Sequence, residues 1–475
     1  MSKKVLCVLS LILIAVSLSS AQTITPLKHP APAGAILTFQ LTDGTVLAQA
    51  NDYSDWYKLT PDNKGSYVNG TWKKMASLPS GYTPDAFSSA VLADGRLVVI
   101  GGEYINDVFT LSNQGAIYDP TANTWTTLNP PKGWDYIGDS PSLVLPSGDF
   151  IIGDKLTKKM AELDPTTLTW TAVSSKGKSD FNAEEGWTLL PTGDILTADV
   201  KNAPNSEIYS PSAKSWTSAG STVVDLHSPS PFGCINYGPN GSLCYYPPGE
   251  IGPAILRPDG TVFATGSYTN GGNGPGHTAI YSPTSGWSAG PDFPNDDNAG
   301  DSFAVLLTNG DVLVEGDSGT SYTWDGTKFT AGPEVPGSLM ILPNGQVLVG
   351  GTEVYTSSGT YEAAWAPAIQ SVPSTVKRGS TYTISGTQFN GLSQAAAFGD
   401  EFQTATNYPL VRITNNKTGN VYYAKTHNHS TMGVATGSAV VSTSFDVPSG
   451  AETGASTLQV VANGIPSLAV SITVD

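Results

Sequence analysis

The stretch Leu92-Ala-Asp-Gly95-Arg-Leu-Val-Val-Ile100-Gly-Gly102 is followed shortly by Tyr118-Asp-Pro120 and then Trp125. Apolar residues on both sides of Asp94-Gly95 mark a tight β-hairpin, because Gly accepts the positive φ that such a turn requires. Tyr118-Asp-Pro120 then ends a third strand, and Trp125 begins a fourth. The unit recurs. Further turns of the same kind lie at Leu41-Thr-Asp-Gly44, Leu145-Pro-Ser-Gly148, Leu190-Pro-Thr-Gly193, Pro258-Asp-Gly260, Leu307-Thr-Asn-Gly310 and Leu342-Pro-Asn-Gly345. The return element recurs as Leu163-Asp-Pro165 with Trp170, Tyr209-Ser-Pro211 with Trp216 and Tyr281-Ser-Pro283 with Trp287. Looser versions pair Tyr57 with Trp72 and Tyr355 with Trp365. Successive turn glycines are 51, 53, 45, 67, 50 and 35 residues apart. A four-stranded sheet cannot bury both faces alone, so units of this length are expected to pack around an axis as propeller blades.

Composition agrees with a turn-rich β protein. The 475 residues include 51 Gly and 34 Pro, and only 13% are charged, about half the usual ~25%. That balance argues against coiled coils and helical bundles, which need many Glu, Lys and Ala positions. A 39% hydrophobic content argues against disorder. A net charge of −17 and a pI near 4.6 exclude nucleic acid as an expected partner, since phosphate binding needs a basic face.

Residues 1–21 read as a signal peptide: Lys3 and Lys4, an apolar run from Val5 to Val16, then small residues at Ser19 and Ala21. The expectation is a secreted, extracellular chain with no membrane span, since no later stretch approaches ~18 apolar residues. Cys234 and Cys244 remain after the signal peptide, and an even pair in an exported chain reads as a disulfide across a hairpin tip.

Gly101-Gly102 after Val98-Val99-Ile100, with Tyr118-Asp-Pro120 and Trp125, resembles the kelch repeat. Seven such units imply a seven-bladed β-propeller over residues 22–366. From Pro367 the Tyr-Pro-Trp period stops and Thr, Ser and Val alternate, predicting a β-sandwich over 367–475. Phe445-Asp-Val-Pro448 and Val460 to Pro466 resemble the immunoglobulin-like domain that ends galactose oxidase and glyoxal oxidase. The layout as a whole is similar to that copper-radical oxidase group. The resemblance implies one copper held by two tyrosines and two histidines, with a cysteine cross-linked to one tyrosine. The matching positions do not carry them. No Tyr-His dipeptide occurs, Val335-Pro336 stands where one is expected, and Ala86 replaces the first tyrosine. Phe398-Gly-Asp-Glu-Phe402 lacks the C-terminal histidine, and Cys234 and Cys244 are explained by each other. Copper is therefore not expected.

The same register places Asp85, Asp139, Glu184, Glu185, Glu250 and Asp301 shortly before successive turn glycines, where the chain enters each innermost strand. Carboxylates converging at a channel mouth raise each other's pKa unless a cation or a donor-rich ligand offsets them. Ca²⁺, an amine or a polyhydroxy compound suits such a site, although each acid alone also fits a turn cap. Trp134, Tyr136, Trp187, Tyr245, Tyr246 and Phe303 lie within a few positions of these acids, with either sugar stacking or inter-blade packing as their role. His427-Asn-His429 places two imidazoles on one strand face, where both could meet one metal, with no third ligand at a metal-site spacing; the alternative is a polar loop, Thr426 to Gly433, docking the sandwich on the propeller. Asn295-Asp-Asp-Asn298 before Asp301 has the residues of a Ca²⁺ loop but lacks EF-hand spacing, and is read as a solvated turn in preference. The expected function is non-catalytic recognition of a carbohydrate or an extracellular protein at the acidic mouth. The alternative is an enzyme there, using paired carboxylates on a polysaccharide or, less in keeping with the residues, a divergent oxidoreductase.

Overall fold

A computed structural model describes residues 22–229, 234–237, 243–245, 249–268, 274–398 and 404–475. Almost all regular structure in it is β, and the repeat read from sequence corresponds to a repeated antiparallel meander. The second sheet shows the pattern: Ser88–Val91, Leu97–Ile100, Gly115–Asp119 and Thr124–Leu128. Its first three strands are almost wholly buried, and its last is mostly exposed. Among the described residues, six other sheets repeat this order, with first strands at Thr38–Gln40, Ser142–Val144, Thr188–Leu189, Ala254–Leu256, Phe303–Leu306 and Leu339–Ile341. The last of them takes its outer strand from the other end of the chain, since Thr23–Pro26 pairs antiparallel with Glu353–Thr356. First strands of neighbouring sheets lie side by side, among them Leu339–Ile341 beside Thr38–Gln40. Sheets standing around their first strands in this way form a β-propeller arrangement.

The Tyr-Pro-Trp element has a physical role. Tyr118 and Trp125 face each other across a strand pair with ring centroids 5.0 Å apart, and Tyr209 and Trp216 repeat this at 5.3 Å. Each Trp then reaches the preceding sheet: Trp125 Nε1 donates to the Ala76 carbonyl at 3.0 Å and Trp170 Nε1 to the Asn129 carbonyl at 2.7 Å. Trp287 Nε1 donates to Ser206 Oγ at 2.7 Å. In these three sheets one indole thus supplies apolar area and one inter-sheet hydrogen bond, worth about 1 kcal/mol net. Trp324 reaches the preceding sheet by ring stacking instead, on Phe263 with centroids 4.9 Å apart.

In an antiparallel meander the turn glycines all fall at one end of the sheets, and the entrances to the first strands fall at the other. Residues 367–475 sit at the glycine end. Thr426 N donates to the Thr42 carbonyl at 3.1 Å and Met432 N to the Pro146 carbonyl at 3.1 Å. Lys425 Nζ donates to Thr121 Oγ1 at 2.7 Å. A Cβ on Gly44 would overlap the Tyr423 ring, so this glycine allows both the turn (φ 74°) and the docking.

The C-terminal strands form two groups joined through one shared strand. Val421–His427 pairs with Leu410–Asn415 over its first half and with Val441–Asp446 over its last residues. One strand therefore belongs to both groups, and eight strands form one hydrogen-bonded path, with Ile465–Pro466 paired beside it, around a core that includes Ile384, Val411, Ile413, Phe445 and Leu458. From this region a segment enters the middle of the propeller. Ala396–Phe398 adds to the free edge of Phe303–Leu306. Leu189 N donates to Gln394 Oε1 at 3.0 Å, and Thr404 Oγ1 donates to the Leu339 carbonyl at 3.4 Å. The segment thus touches first strands of the fourth, sixth and seventh sheets.

Ile235–Tyr237 and Leu243–Tyr245 form a separate two-stranded hairpin, with Cys234 and Cys244 joined as a disulfide. Residues 1–21 and the turn Asn240-Gly241 lie outside the described residues. Among those described, no helix is long and apolar enough to cross a membrane.

Candidate functional site

At the end opposite the glycine turns, the entrances to the first strands share a local device. Just before those strands one residue takes a left-handed conformation: Ala86 (φ 50°), Gly138 (74°), Ala183 (36°), Gly249 (102°), Asp301 (51°) and Gly337 (89°). The next residue in the third, fourth and fifth sheets is acidic: Asp139, Glu184 and Glu250. A repeated turn thus presents one carboxylate per sheet, and a turn that tolerates Ala and Asp there leaves a weaker sequence trace than glycine alone.

These acids surround Lys155, on the loop after Phe150–Gly153. Its ammonium is fully buried, forms an ion pair with Asp139 and lies 2.5 Å from Glu184 Oε1. Glu103, on the equivalent loop of the second sheet, belongs to the same group: the charges of Lys155, Glu184 and Asp85 all act on it. Neither Lys155 nor Glu103 stands out in the sequence, because each lies in a connection of irregular length after the second strand. Burial raises the Glu103 carboxyl. Burial, with Glu184 and Asp301 adding, pushes Glu250 up to about 10. Asp301 is open to solvent at the rim but walled by protein beneath. Desolvation, with Glu184 adding, pushes it up to about 7 against the lowering effect of a hydrogen bond with Glu250. The site is therefore a well, with Lys155, Asp139 and Glu184 at its floor and Glu250 and Asp301 toward its opening. Among the described residues no ion pair engages Glu103, Glu250 or Asp301, so protons neutralise part of the well.

Asp85 stands at the side. Its Oδ1 accepts from Ala86 N at 3.0 Å, and its strand Pro84–Asp85 pairs with Tyr104–Ile105 in a small sheet over the opening. Tyr104 is half-buried there, close enough for Glu103, Asp139 and Lys155 to act on it, and packs on Phe109 at 6.0 Å. Tyr136 is also half-buried, whereas Trp134, Trp187 and Phe303 are buried and serve packing. Tyr245 lies in the disulfide hairpin, and Tyr246 lies outside the described residues.

Glu185 faces away from the well. Its two oxygens accept from Lys178 Nζ at 2.9 and 2.7 Å in a closed pocket with Glu207. The histidine pair does not converge. The strand ends at His427 because Asn428 turns left-handed (φ 53°), which breaks the alternation that would align the rings. His427 Nε2 lies 3.2 Å from Asp446 Oδ1, while His429 is half-buried, stacked on Tyr408 with Nδ1 2.8 Å from Thr443 Oγ1. Burial pushes the His429 imidazole down to about 3. Asp297 is occupied by structural bonds from Tyr322 Oη at 2.9 Å and from Ser318 Oγ and N at 2.5 and 3.1 Å. At the positions the oxidase resemblance points to, Ala86 forms a left-handed turn and Val335 is buried. Residues 399–403 lie outside the described residues.

No protein-family model and no curated protein matches the chain. Solved structures do. A fungal alcohol oxidase of the AA5 family, in complex with copper, is 14% identical over 95% of this chain and 98% of its own, with a TM-score of 0.49. A virginiamycin B lyase from Staphylococcus aureus is 12% identical over 70% of this chain and 97% of its own, with a TM-score of 0.45. The extracellular domain of a proposed one-component system of B. thetaiotaomicron is 11% identical over 93% of this chain and 56% of its own, with a TM-score of 0.46.

Proposed function

We propose that this chain is a secreted, non-catalytic binding protein: a closed seven-bladed kelch-type propeller with an immunoglobulin-like C-terminal domain, recognising a carbohydrate or cell-surface ligand at its acidic well. The observation that carries the reading is the repeated turn placing Asp139, Glu184 and Glu250 at one level of three consecutive sheets, with Glu103 and Asp301 completing the well. Carboxyls that are partly protonated offer both donors and acceptors to ligand hydroxyls. Tyr104 adds a half-exposed aromatic face beside them, which suits the C–H face of a sugar. The Glu250–Asp301 hydrogen bond favours binding over glycoside hydrolysis, because paired hydrolytic carboxyls stand about 5–10 Å apart across an open groove. Asp139 and Glu184 are committed to Lys155 and leave no free base at the floor.

The test is a glycan array and calorimetric titration of the purified protein, repeated on Glu184→Gln, Asp301→Asn and Tyr104→Ala. Affinity for the retained glycan is expected to fall at least 10-fold in each variant, with the fold intact by circular dichroism. Unchanged binding in all three overturns the proposal. So does peroxide formation from an alcohol by copper-loaded protein.

A further inference from the structure

We infer that the closed pocket between Lys178 and Asp199 is a structural site for one hard divalent cation, separate from the acidic well and independent of its proposed role. Three elements build it: the loop carrying Lys178, Ser179 and Glu185, the end of Ile195–Ala198 leading into Asp199, and Glu207 on Asn205–Ser210. One carboxylate oxygen from each of Glu185, Asp199 and Glu207 lies within 4.8 Å of the other two, and all three residues are buried. All-oxygen donors at this spacing match Ca²⁺, Mg²⁺ or Mn²⁺ rather than a thiophilic metal.

A further observation points to an occupant beyond the acids themselves. Asp199 is 3% exposed and its Oδ1 has no hydrogen-bond partner, while Oδ2 accepts from Ser179 Oγ at 3.0 Å. An orphan carboxylate oxygen in a buried pocket costs several kcal/mol unless a cation or donor meets it.

Charge sets the valence. Three carboxylates against one ammonium leave a formal −2, the complement of one divalent ion. Lys178 binds Glu185 and Glu207 (3.0 Å to Glu207 Oε2) and lies 4.4 Å from the Trp216 ring centroid, so it closes one side of the pocket. The Glu185 and Glu207 oxygens already accept from Lys178 or Ser179 and are shared with the ion, whereas Asp199 Oδ1 accepts from no described residue and meets the ion first. Glu184 is the neighbour of Glu185, so an ion here fixes the loop that delivers Glu184 to the well.

The experiment uses the full chain stripped with EDTA and then titrated with Mn²⁺ or Ca²⁺. Bound metal is counted by mass spectrometry, and stability is followed by thermal unfolding. One ion per chain and a raised Tm are expected, with affinity at least 10-fold weaker in Asp199→Asn and unchanged in Asp301→Asn. A measurement that needs no pocket acid replaced is Tb³⁺ luminescence excited through tryptophan, which should drop in Trp216→Phe without loss of Tb³⁺ binding. Failure of the stripped chain to retain any ion overturns the inference. Equal retention by Asp199→Asn, loss confined to Asp301→Asn, or Tb³⁺ emission unaffected by Trp216→Phe also overturns it.

Discussion

Glu184 and Glu185 are consecutive in the chain and serve different pockets: Glu184 reaches Lys155 at the floor of the acidic well, and Glu185 reaches Lys178 in a sealed one. Ala183 before them is left-handed, so the chain pivots at this point and the two side chains part. A substitution at either position therefore reports on one pocket while the backbone between them couples both.

Lys155 gives the sharpest stability prediction. Lys155→Met leaves Asp139 and Glu184 buried without their cation, which is expected to cost about 3–5 kcal/mol. Adding Asp139→Asn and Glu184→Gln to that variant should recover much of the loss, read as the urea midpoint. A single variant as stable as the parent would show that the pair is not desolvated as described.

The well also predicts a pH dependence. Asp301 and Glu250 titrate higher in the folded chain than an unfolded carboxyl does, so folding favours their protonated forms. That contribution is complete below about pH 4 and is lost as pH rises, through about 7 for Asp301 and toward about 10 for Glu250. Thermal unfolding from pH 5 to 8 should show Tm falling, and the slope should flatten in Asp301→Asn. An identical slope in the variant contradicts the assignment.

Two turn glycines separate backbone strain from docking. Gly260 has φ 83° and open space where a Cβ would stand, so Gly260→Ala is expected to cost only about 1–2 kcal/mol of left-handed strain. Gly44→Ala carries the same strain and also overlaps Tyr423, adding about 1–3 kcal/mol of overpacking. Urea unfolding of the two variants should differ by that increment. Equal costs would mean that the C-terminal strands yield at no expense.

Cys234 and Cys244 close a short loop in a hairpin that, among the described residues, pairs with no other sheet. Replacing both with Ser removes at most about 3 kcal/mol on the chain-entropy model. Limited proteolysis should then cut between residues 234 and 245 while the main thermal transition stays. Collapse of that transition would assign the hairpin a wider role.

The seven turns and the Tyr-Pro-Trp returns were legible because glycine turns and large aromatics at fixed offsets leave few alternatives. The positions of Asp139, Glu184, Glu250 and Asp301 followed from the same register. Lys155 and Glu103 did not, since their loops have no constant length. Glu185 was placed with Glu184 because register cannot show which way a side chain leaves a left-handed turn. His427 and His429 looked aligned only while the strand was taken to continue past Asn428.

The outer strand Thr23–Pro26 and the inserted Ala396–Phe398 join the propeller from opposite ends of the sequence. Both are contacts of very long sequence separation, one fastening the perimeter and the other occupying the axis. Folding must therefore bring a strand that follows the sheets in sequence in among their first strands, while a strand that precedes them completes the outer edge. High contact order of this kind makes for slow assembly with open sheet edges along the way. The same two strands make partial opening costly once assembly is complete, so the well is held by the chain as a whole rather than by the sheets that line it.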